Sequence, residues 1–384
     1  MRRLINWKQS KNNYFVDTDG NKILDLNAGQ AGATLGYNND DMLCARMGTT
    51  FDRFAANKVN LSAMPANDMA DLIRENVMIA APKGLLQVHL GGGSTGAEAN
   101  ELAMSVAFKK FAAQHGITDM STVCGLGFEN ALHGTTTATL SVSSTEANPH
   151  GLPAFPWPKA EFPQLKYPLS QHEAENREEE NRCLKGVKDI IDGKRAEGGH
   201  VGCIIIEPMS GLAQQMATPN FYRKLRALAK AEGIPFIVDE TKTGIGASGK
   251  NWAYEYWYLS EDNAPDFVTF GGARASGLSG FYSTMDYRLN EEATSYQQNV
   301  DMTALLNYGL TWKIAASDDL LHKQKDTSSF LKIELDRMSQ ETGLFSTVRG
   351  YGTHLAFDCA TSETADSMQR WLFRSGINVL KCGP

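Results

Sequence analysis

The chain of 384 residues contains no run of eighteen or more apolar residues, which argues against a membrane-spanning helix. It also lacks internal repeats and low-complexity linkers. With 44 acidic and 37 basic residues, its formal net charge is -7, and this acidic balance argues against a dedicated nucleic-acid-binding protein. The 42% of hydrophobic and 21% of charged residues are typical of a folded soluble protein, and the length predicts two or three domains.

Cysteine is scarce and dispersed. The six residues form no Cys-x-x-Cys pair and no cluster with zinc spacing, so we predict no metal site and expect free thiols in a reducing compartment. The first sixteen residues carry four basic side chains and no acid, which favours import into an organelle, the mitochondrion, over a cytoplasmic location.

Two patterns in the first third of the chain predict local structure. Asp19-Gly20 lies between two short apolar runs, which is typical of a β-hairpin. Further on, the apolar run 85–90 leads into Gly91-Gly92-Gly93, and a helical pattern follows from Ala97 to Phe111. The pattern therefore predicts a strand, then a glycine-rich turn, then a helix that begins at that turn.

The middle of the chain predicts a parallel sheet. An apolar run ends at Glu207, a second ends at Asp239, and the amphipathic segment 221–231 lies between them as the helix of a βαβ unit. A third strand, Phe267–Phe270, runs into Gly271-Gly272. The proline-rich stretch 149–168 is predicted to be a surface excursion, because proline cannot donate to a ladder.

Acidic residues at the ends of these strands indicate a ligand-binding site. Ligands of open α/β sheets bind at the carboxyl edge, where we expect Glu207 and Asp239. The turn before Ala97 offers free N–H groups and the positive end of a helix, both suited to phosphate. Together they suit a phosphorylated heteroaromatic cofactor with a ring nitrogen. Each feature also has a simpler interpretation, as a tight turn or as a helix cap.

The chain resembles the class III pyridoxal-phosphate-dependent aminotransferases, and within them most nearly the 4-aminobutyrate (GABA) transaminases. The matching segments lie in one order along nearly the whole chain: 14–20, 81–84, 97–101, 162–168, 206–208, 238–240 with 243–244, and 265–270.

The resemblance implies an α/β protein of the pyridoxal-phosphate-dependent transferase fold type I, with a large mixed-sheet domain and a smaller α+β domain. We place an N-terminal segment at 1–45, the large cofactor-binding domain at 46–290 and the small C-terminal domain at 291–384. The resemblance also implies pyridoxal 5′-phosphate as cofactor, transfer of an amino group from an ω-amino acid to a 2-oxo acid, and a homodimer with active sites at the subunit interface.

Site residues follow from the resemblance position by position. Asp239 corresponds to the acid that pairs with the pyridine nitrogen, and Glu207 to an active-site glutamate. The remaining cofactor-binding positions are the phosphate cradle Thr95, Gly96 and Ala97, the His133-Gly134 pair, and Gln297, which stands where the partner subunit's phosphate-binding threonine is expected.

Several family positions hold other residues. The family needs a lysine just after the strand that ends at Phe270, where Ala273 stands here, and no lysine occurs between Lys250 and Lys313. Arg274 cannot replace it, since a guanidinium stays protonated. Further changes affect the aromatic that stacks on the cofactor, the substrate arginine and a glutamine, which are Leu132, Thr135 and Lys242 here.

Three hypotheses account for these changes. An engineered replacement of lysine at Ala273 would explain one change only. A displaced lysine, Lys242, could make the covalent bond to the cofactor, although an ion pair with Glu207 is the simpler interpretation. We favour the third, a homologue with impaired catalysis that serves as a structural or regulatory subunit of a larger assembly, because loss of the lysine removes both the tether and a proton shuttle.

Overall fold

The computed structural model describes residues 4–30, 32–56, 66–288 and 300–382. Its strands, in chain order, are β1 (Tyr14–Val16), β2 (Lys22–Asp25), β3 (Gln87–Leu90), β4 (Val123–Phe128), β5 (Lys159–Ala160), β6 (His200–Ile206), β7 (Phe236–Asp239), β8 (Phe267–Phe270), β9 (Gly280–Ser283), β10 (Phe345–Tyr351), β11 (His354–Cys359) and β12 (Ile377–Asn378). Its α-helices are α1 (Asp40–Arg46), α2 (Thr49–Ala56), α3 (Met69–Asn76), α4 (Gly96–His115), α5 (Thr137–Val142), α6 (Glu173–Ala196), α7 (Pro219–Ala231), α8 (Met302–Ser317), α9 (Leu320–Thr342) and α10 (Ser362–Arg374).

A seven-stranded mixed sheet forms the centre, in the order β3-β9-β8-β7-β6-β4-β5. Strands β8, β7, β6, β4 and β5 are parallel, whereas β9 runs antiparallel to both of its neighbours, β3 and β8. The carboxyl ends of β6, β7 and β8 therefore lie side by side. Glu207, Asp239 and the turn that begins at Gly271 meet at this edge of the sheet.

The apolar composition of the inner strands follows from their position. Every residue of β7 and β8, and all but the first of β6, is buried, as expected for parallel strands covered on both faces. Helix α4 packs against β6, β8 and β9, and α6 packs against β6 and α7. None of the described helices is long and apolar enough to cross a membrane.

Two smaller sheets accompany the large one. The predicted hairpin is present as β1–β2, and the C-terminal strand β12 joins it in parallel, with Ile377 opposite Leu24. Strands β10 and β11 form an antiparallel hairpin. The first and last strands of the chain thus share one sheet. The domain boundaries at 45 and 290 stay a prediction, and residue 290 lies outside the described residues.

The proline-rich stretch 149–168 is largely exposed, as predicted, but it contains an edge strand, β5, whose Ala160 is buried against the sheet. Prolines flank these two residues and do not interrupt them, so their ladder bonds can form. In the acidic run 173–182 at the start of α6, Glu180 is buried and accepts hydrogen bonds from the N–H (2.7 Å) and hydroxyl (2.9 Å) of Thr218, just before α7.

A buried ion pair fixes the starts of β7 and β8. Arg226 donates from Nη1 and Nη2 to the two carboxylate oxygens of Asp266, over 2.8 and 2.9 Å, and from Nε to the carbonyl of Ala264. Asp266 also accepts the N–H of Phe236 at 2.8 Å. Both side chains have their polar atoms paired, which is the arrangement that makes a buried ion pair tolerable.

We expect Asp266→Ala to lower the free energy of unfolding by about 3–5 kcal/mol, because it leaves the Arg226 guanidinium buried without a counter-charge. Urea denaturation of the purified protein measures this. Asp262→Ala, at an exposed position in the preceding turn, is the control and should have little effect. Equal losses in the two variants would show that the pair contributes nothing specific.

Candidate functional site

The carboxylate of Asp239 is the centre of the site. It lies at the end of β7 and is 1% exposed. Its Oδ2 accepts the amide of Asn100 and lies against Nδ1 of His133, both at 2.8 Å, while its Oδ1 accepts the N–H (3.0 Å) and hydroxyl (2.6 Å) of Thr241. Burial by itself would raise the pKa of Asp239, but the hydrogen bond and charge of His133, with the charge of Lys242 and the Thr241 bond, outweigh it and hold the pKa below its usual value.

Asn100 locks this carboxylate to its surroundings. Its amide nitrogen bonds both Asp239 and the carbonyl of His133, and its oxygen accepts the hydroxyl of Thr269 on β8 at 2.6 Å. Helix α4, the loop after β4 and two strands are thereby joined through one side chain. His133 is held further by its N–H to Ser143 Oγ (2.9 Å), and its Nε2 is buried without a partner among the described residues.

The start of α4 forms a backbone cradle. Thr95 is the N-cap and shares a capping box with Glu98, whose Oε2 accepts the Thr95 N–H at 2.9 Å. The next two N–H groups, of Gly96 and Ala97, have no intrahelical acceptor because they belong to the first turn. They lie at the positive end of a twenty-residue helix, which suits an anion such as phosphate.

Two glycines allow the loops to approach this cradle. A Cβ on Gly96 would lie 2.8 Å from Thr241 Cβ, and one on Gly134 would lie 2.3 Å from Ala97 Cβ. Gly134 also has φ +138°, which side chains rarely adopt. The close contact of the cradle with the loops after β4 and β7 therefore requires glycine at both positions.

Glu207 and Lys242 form an ion pair beside this centre. Lys242 Nζ donates to Glu207 Oε1 at 2.7 Å and to the carbonyl of Leu132 at 2.6 Å. Glu207 Oε2 accepts the N–H groups of Leu132 (2.9 Å) and Gly211 (2.8 Å). A Cβ on Gly211 would lie 2.1 Å from Lys242 Nζ, so glycine leaves the space that the ammonium occupies. Lys242 therefore has the ion-paired geometry that we considered the simpler interpretation.

The turn after β8 lies against the cradle. A Cβ on Gly271 would be 3.0 Å from both Gly96 Cα and the Thr95 carbonyl oxygen. Ala273 begins the short 3-10 turn Ala273–Ala275, is exposed, and lies close to Gly32. The structure thus brings Thr95, Gly96, Ala97, Leu132, His133, Glu207, Asp239, Lys242 and the turn of Ala273 to one edge of the sheet, whereas Gln297 lies outside the described residues.

Sequence reasoning missed Asn100, Thr241, Thr269 and Gly211. Asn100 stands in the segment that carried the resemblance, but its role depends on strands more than 130 residues away. Within the described ranges, no group of three or more His, Cys, Asp or Glu could hold a metal ion. All six cysteines are free thiols.

Comparison with known proteins gives the class of this site. The sequence matches the family described as aminotransferase class-III over residues 1–384, and the chain belongs to that family. Within it the chain is 34% identical to the 4-aminobutyrate aminotransferase of Dictyostelium discoideum, over 98% of this chain and 79% of that protein. It is 31% identical to the mitochondrial 4-aminobutyrate aminotransferase of Rattus norvegicus, with the same coverage. It is therefore a 4-aminobutyrate-aminotransferase-like member.

Solved structures show the same fold. A lysine aminotransferase from M. tuberculosis superposes with a TM-score of 0.88 at 23% identity, over 100% of this chain and 88% of that one. An amine transaminase from an uncultivated Pseudomonas species gives a TM-score of 0.83 at 20% identity, over 100% and 88%. The expected fold type I of pyridoxal-phosphate-dependent transferases is confirmed.

Pyridoxal phosphate is the cofactor of this family, and the residues present fit two of its groups. The ionised Asp239 carboxylate, backed by His133, could hold a protonated pyridine nitrogen. The N–H groups of Gly96 and Ala97 could hold the phosphate. Leu132, whose backbone contacts Glu207 and Lys242, and the turn 271–276, which contains no lysine, lie at the same edge of the sheet.

We expect strong energetic coupling between Lys242 and Glu207. In a double-mutant cycle of Lys242→Met and Glu207→Gln, the interaction energy should be about 0.5–3 kcal/mol, because both residues share the partner Leu132. Urea denaturation of the four proteins measures it. Lys83→Met, which removes an exposed lysine paired with Glu261, should be additive with Glu207→Gln. Additivity of the Lys242 cycle would contradict the observed ion pair.

Glu240, next to Asp239, should make stability depend on pH. Its carboxylate is fully buried and accepts bonds from Thr243 Oγ1 and the Tyr254 N–H, and burial raises its pKa from 4.5 to about 7. Between these two values the folded state keeps a proton that the unfolded state has lost. The contribution of Glu240 to stability must therefore fall as pH rises from 4.5 to 7 and stay constant above.

The matched variant is Glu240→Gln, which cannot titrate. Relative to it, the unmodified protein should lose a few kcal/mol of unfolding free energy between pH 4.5 and 7. Thermal or urea unfolding at a series of pH values measures the difference curve. A difference independent of pH would refute the raised pKa.

Proposed function

We propose that this protein is a 4-aminobutyrate-aminotransferase-like homologue that binds pyridoxal phosphate but transfers amino groups very slowly, and that it serves as a structural or regulatory subunit. One observation carries the proposal. The turn that follows β8 approaches the cradle through Gly271 and contains no lysine, and the ammonium of Lys242 is committed to Glu207 and the Leu132 carbonyl.

Retention of the cofactor rests on the Asp239 network and the cradle. When bound, pyridoxal phosphate supplies an electron sink through its protonated ring nitrogen. Asp239 would hold that nitrogen, with its own position fixed by Asn100 and His133, and Gly96 and Ala97 would bind the phosphate. These contacts use side chains and backbone that also fold the site, so they persist without catalysis.

Loss of activity rests on the missing amine. In this family a lysine tethers the cofactor and moves a proton between substrate and cofactor, and such proton transfer contributes roughly 10²–10⁴-fold to rate. His133 cannot take over, since Nδ1 faces Asp239 and Nε2 is buried. Arg274 stays protonated: burial lowers its pKa only to about 10.

The alternative is an active aminotransferase in which Lys242 is a displaced tether, or in which Ala273 replaces an original lysine. Proximity of Lys242 to the Asp239 network favours the first, because its charge contributes to the lowered pKa of Asp239. To act, the ammonium would have to leave Glu207 and lose a proton. A lysine codon in the native gene at position 273 would establish the second.

We expect the purified protein to bind pyridoxal phosphate reversibly and to lack a borohydride-stable adduct. Transamination of 4-aminobutyrate with 2-oxoglutarate should be at least roughly 10²-fold slower than in an active family member assayed alongside. Absorbance spectra, dialysis and a coupled assay measure this. Ordinary activity of the unmutated chain, or borohydride labelling of Lys242, would contradict the proposal.

Ala273→Lys should restore a covalent attachment. The exposed methyl group of Ala273 lies on the turn that contacts the cradle, so a lysine there can extend towards a cofactor held by Asp239. We expect borohydride to fix pyridoxal phosphate on Lys at position 273, mapped by peptide mass spectrometry. Met285→Lys, at an exposed position beyond β9, is the control and should show no fixed cofactor. Equal labelling of both variants would show that the attachment is nonspecific.

The subunit role concerns location and partners. We propose a homodimer within a larger mitochondrial assembly; relatives named as mitochondrial 4-aminobutyrate aminotransferases support the location. Native mass measurement in organelle extracts tests it. A free dimer with full transaminase activity would rule it out.

A further inference from the structure

A cleft of about 180 Å³ lies between helix α9, the β10–β11 hairpin and the segment 246–256. Helix α9 lines it with Lys325, Ser328, Ser329 and Lys332, whose spacing of three, one and three residues places them on one face of the helix. None of the residues that line the cleft belongs to the cradle or to the cofactor-binding residues described above. The cleft is therefore a second site on the protein.

Hydrogen bonds hold the three walls of the cleft together. Gln324, on α9, donates from Nε2 to the carbonyl of Ala247 at 2.8 Å and to the hydroxyl oxygen of Thr353, in the turn between β10 and β11, at 2.7 Å. The turn can approach the segment 246–256 because Gly352 has no side chain, since a Cβ there would lie 2.3 Å from the carbonyl carbon of Ser248. Contacts between the three elements therefore fix the shape of the cleft.

The charged groups of the cleft are all positive. No acidic side chain lines it, and its two lysines are exposed and form no ion pair with another described residue. Two acids that are close to the lysines along α9 pair with other side chains, Asp326 with His322 and Glu334 with Arg337. The ammonium groups of the two lysines are therefore available to an anionic ligand.

The neutral polar groups of the cleft already have acceptors within the protein. The hydroxyls of Ser328 and Ser329 both donate to the carbonyl of Lys325, over 3.0 and 2.8 Å. The hydroxyl of Tyr256 donates to the carbonyl of Ser248 at 2.9 Å. The side-chain donors that remain for a ligand are the two ammonium groups, each with three N–H bonds.

We propose that this cleft binds a phosphate group, as inorganic phosphate or as a small phosphate monoester, between Lys325 and Lys332. Lysine is a common phosphate ligand, because its compact charge carries three donors that can reach different phosphate oxygens. A phosphate group at neutral pH carries up to two negative charges, which two ammonium groups balance. The inference goes beyond the proposed function, because it concerns a different part of the molecule and no amine chemistry.

The size of the cleft limits the ligand. Its volume of about 180 Å³ is below the roughly 300–1,000 Å³ that is typical of pockets for drug-sized molecules. The cleft can therefore enclose one anionic group but not an extended molecule. Because Lys325, Ser329 and Lys332 are exposed, the rest of a monoester could extend into solvent.

Protection from acetylation tests the site on the unmodified full chain. Acetic anhydride modifies exposed lysines, and peptide mass spectrometry measures the rate at each position. At a phosphate concentration about ten times the dissociation constant, we expect Lys325 and Lys332 to react roughly tenfold more slowly than in chloride of equal ionic strength, since about one site in eleven is then free. Lys323, exposed on α9 and not part of the cleft, should react equally in both salts. Absence of protection, or equal protection of Lys323, would overturn the inference.

Two variants locate the bound phosphate. In Lys325→Gln, phosphate binding should weaken at least about tenfold, and Lys332 should lose its protection, because a charge-assisted hydrogen bond is removed. Lys323→Gln removes an equal charge from the same helix and should leave both lysines of the cleft protected. Both substituted positions are exposed, so we expect both variants to fold. Unchanged protection of Lys332 in Lys325→Gln would refute binding between the two lysines.

The source of the phosphate group is distinguished by a second ligand. Protection by both inorganic phosphate and glycerol 3-phosphate supports a site for monoesters, whereas protection by inorganic phosphate alone supports a site for the free ion. Glycerol, which lacks the anion, should protect neither lysine, and protection by glycerol equal to that by phosphate would contradict both forms of the proposal. Transaminase activity is not part of this readout, so the inference can fail while the proposed function stands.

Discussion

The buried carboxylate of Asp239 is the constraint on which the site depends. A charge with 1% exposure is tolerable only when every oxygen is paired, and here Asn100, His133 and Thr241 provide the bonds. Because those residues belong to a helix and two loops, satisfying one carboxylate positions three elements. Asn100 extends the constraint to β8 through Thr269. The hydrogen bonds that would position the cofactor therefore also contribute to the stability of the fold.

Two of the residues that differ from the family pattern, Leu132 and Lys242, contact each other. Lys242 reaches the backbone of Leu132 and the carboxylate of Glu207, and the ammonium fits because Gly211 has no side chain. The charges of Lys242 and Glu207 are therefore paired with each other. A lysine introduced alone at that position would meet any bulkier neighbour at 211. The ion pair therefore depends on glycine at position 211.

Arg274 differs from Lys242, because its Nε is buried and has no hydrogen-bond partner among the described residues. A desolvated, unpaired guanidinium is costly, and such groups persist where a ligand completes them or where strain serves a purpose. Arg274 lies on the turn that follows β8, directly after Ala273.

The sequence by itself determined the large elements, the fold class and the family, because periodic apolar runs, the glycine-rich turn and the ordered segments are local properties of the chain. It also showed that no lysine occurs between Lys250 and Lys313, the interval that contains the turn after Phe270. Only the tertiary structure decided that Lys242 pairs with Glu207 and that Nε of Arg274 is buried without a hydrogen-bond partner among the described residues, since both answers depend on residues from distant parts of the chain. For the same reason β5 and the role of Asn100 were not predicted, because a two-residue strand and a hydrogen-bonding amide are defined by residues that are distant in the sequence.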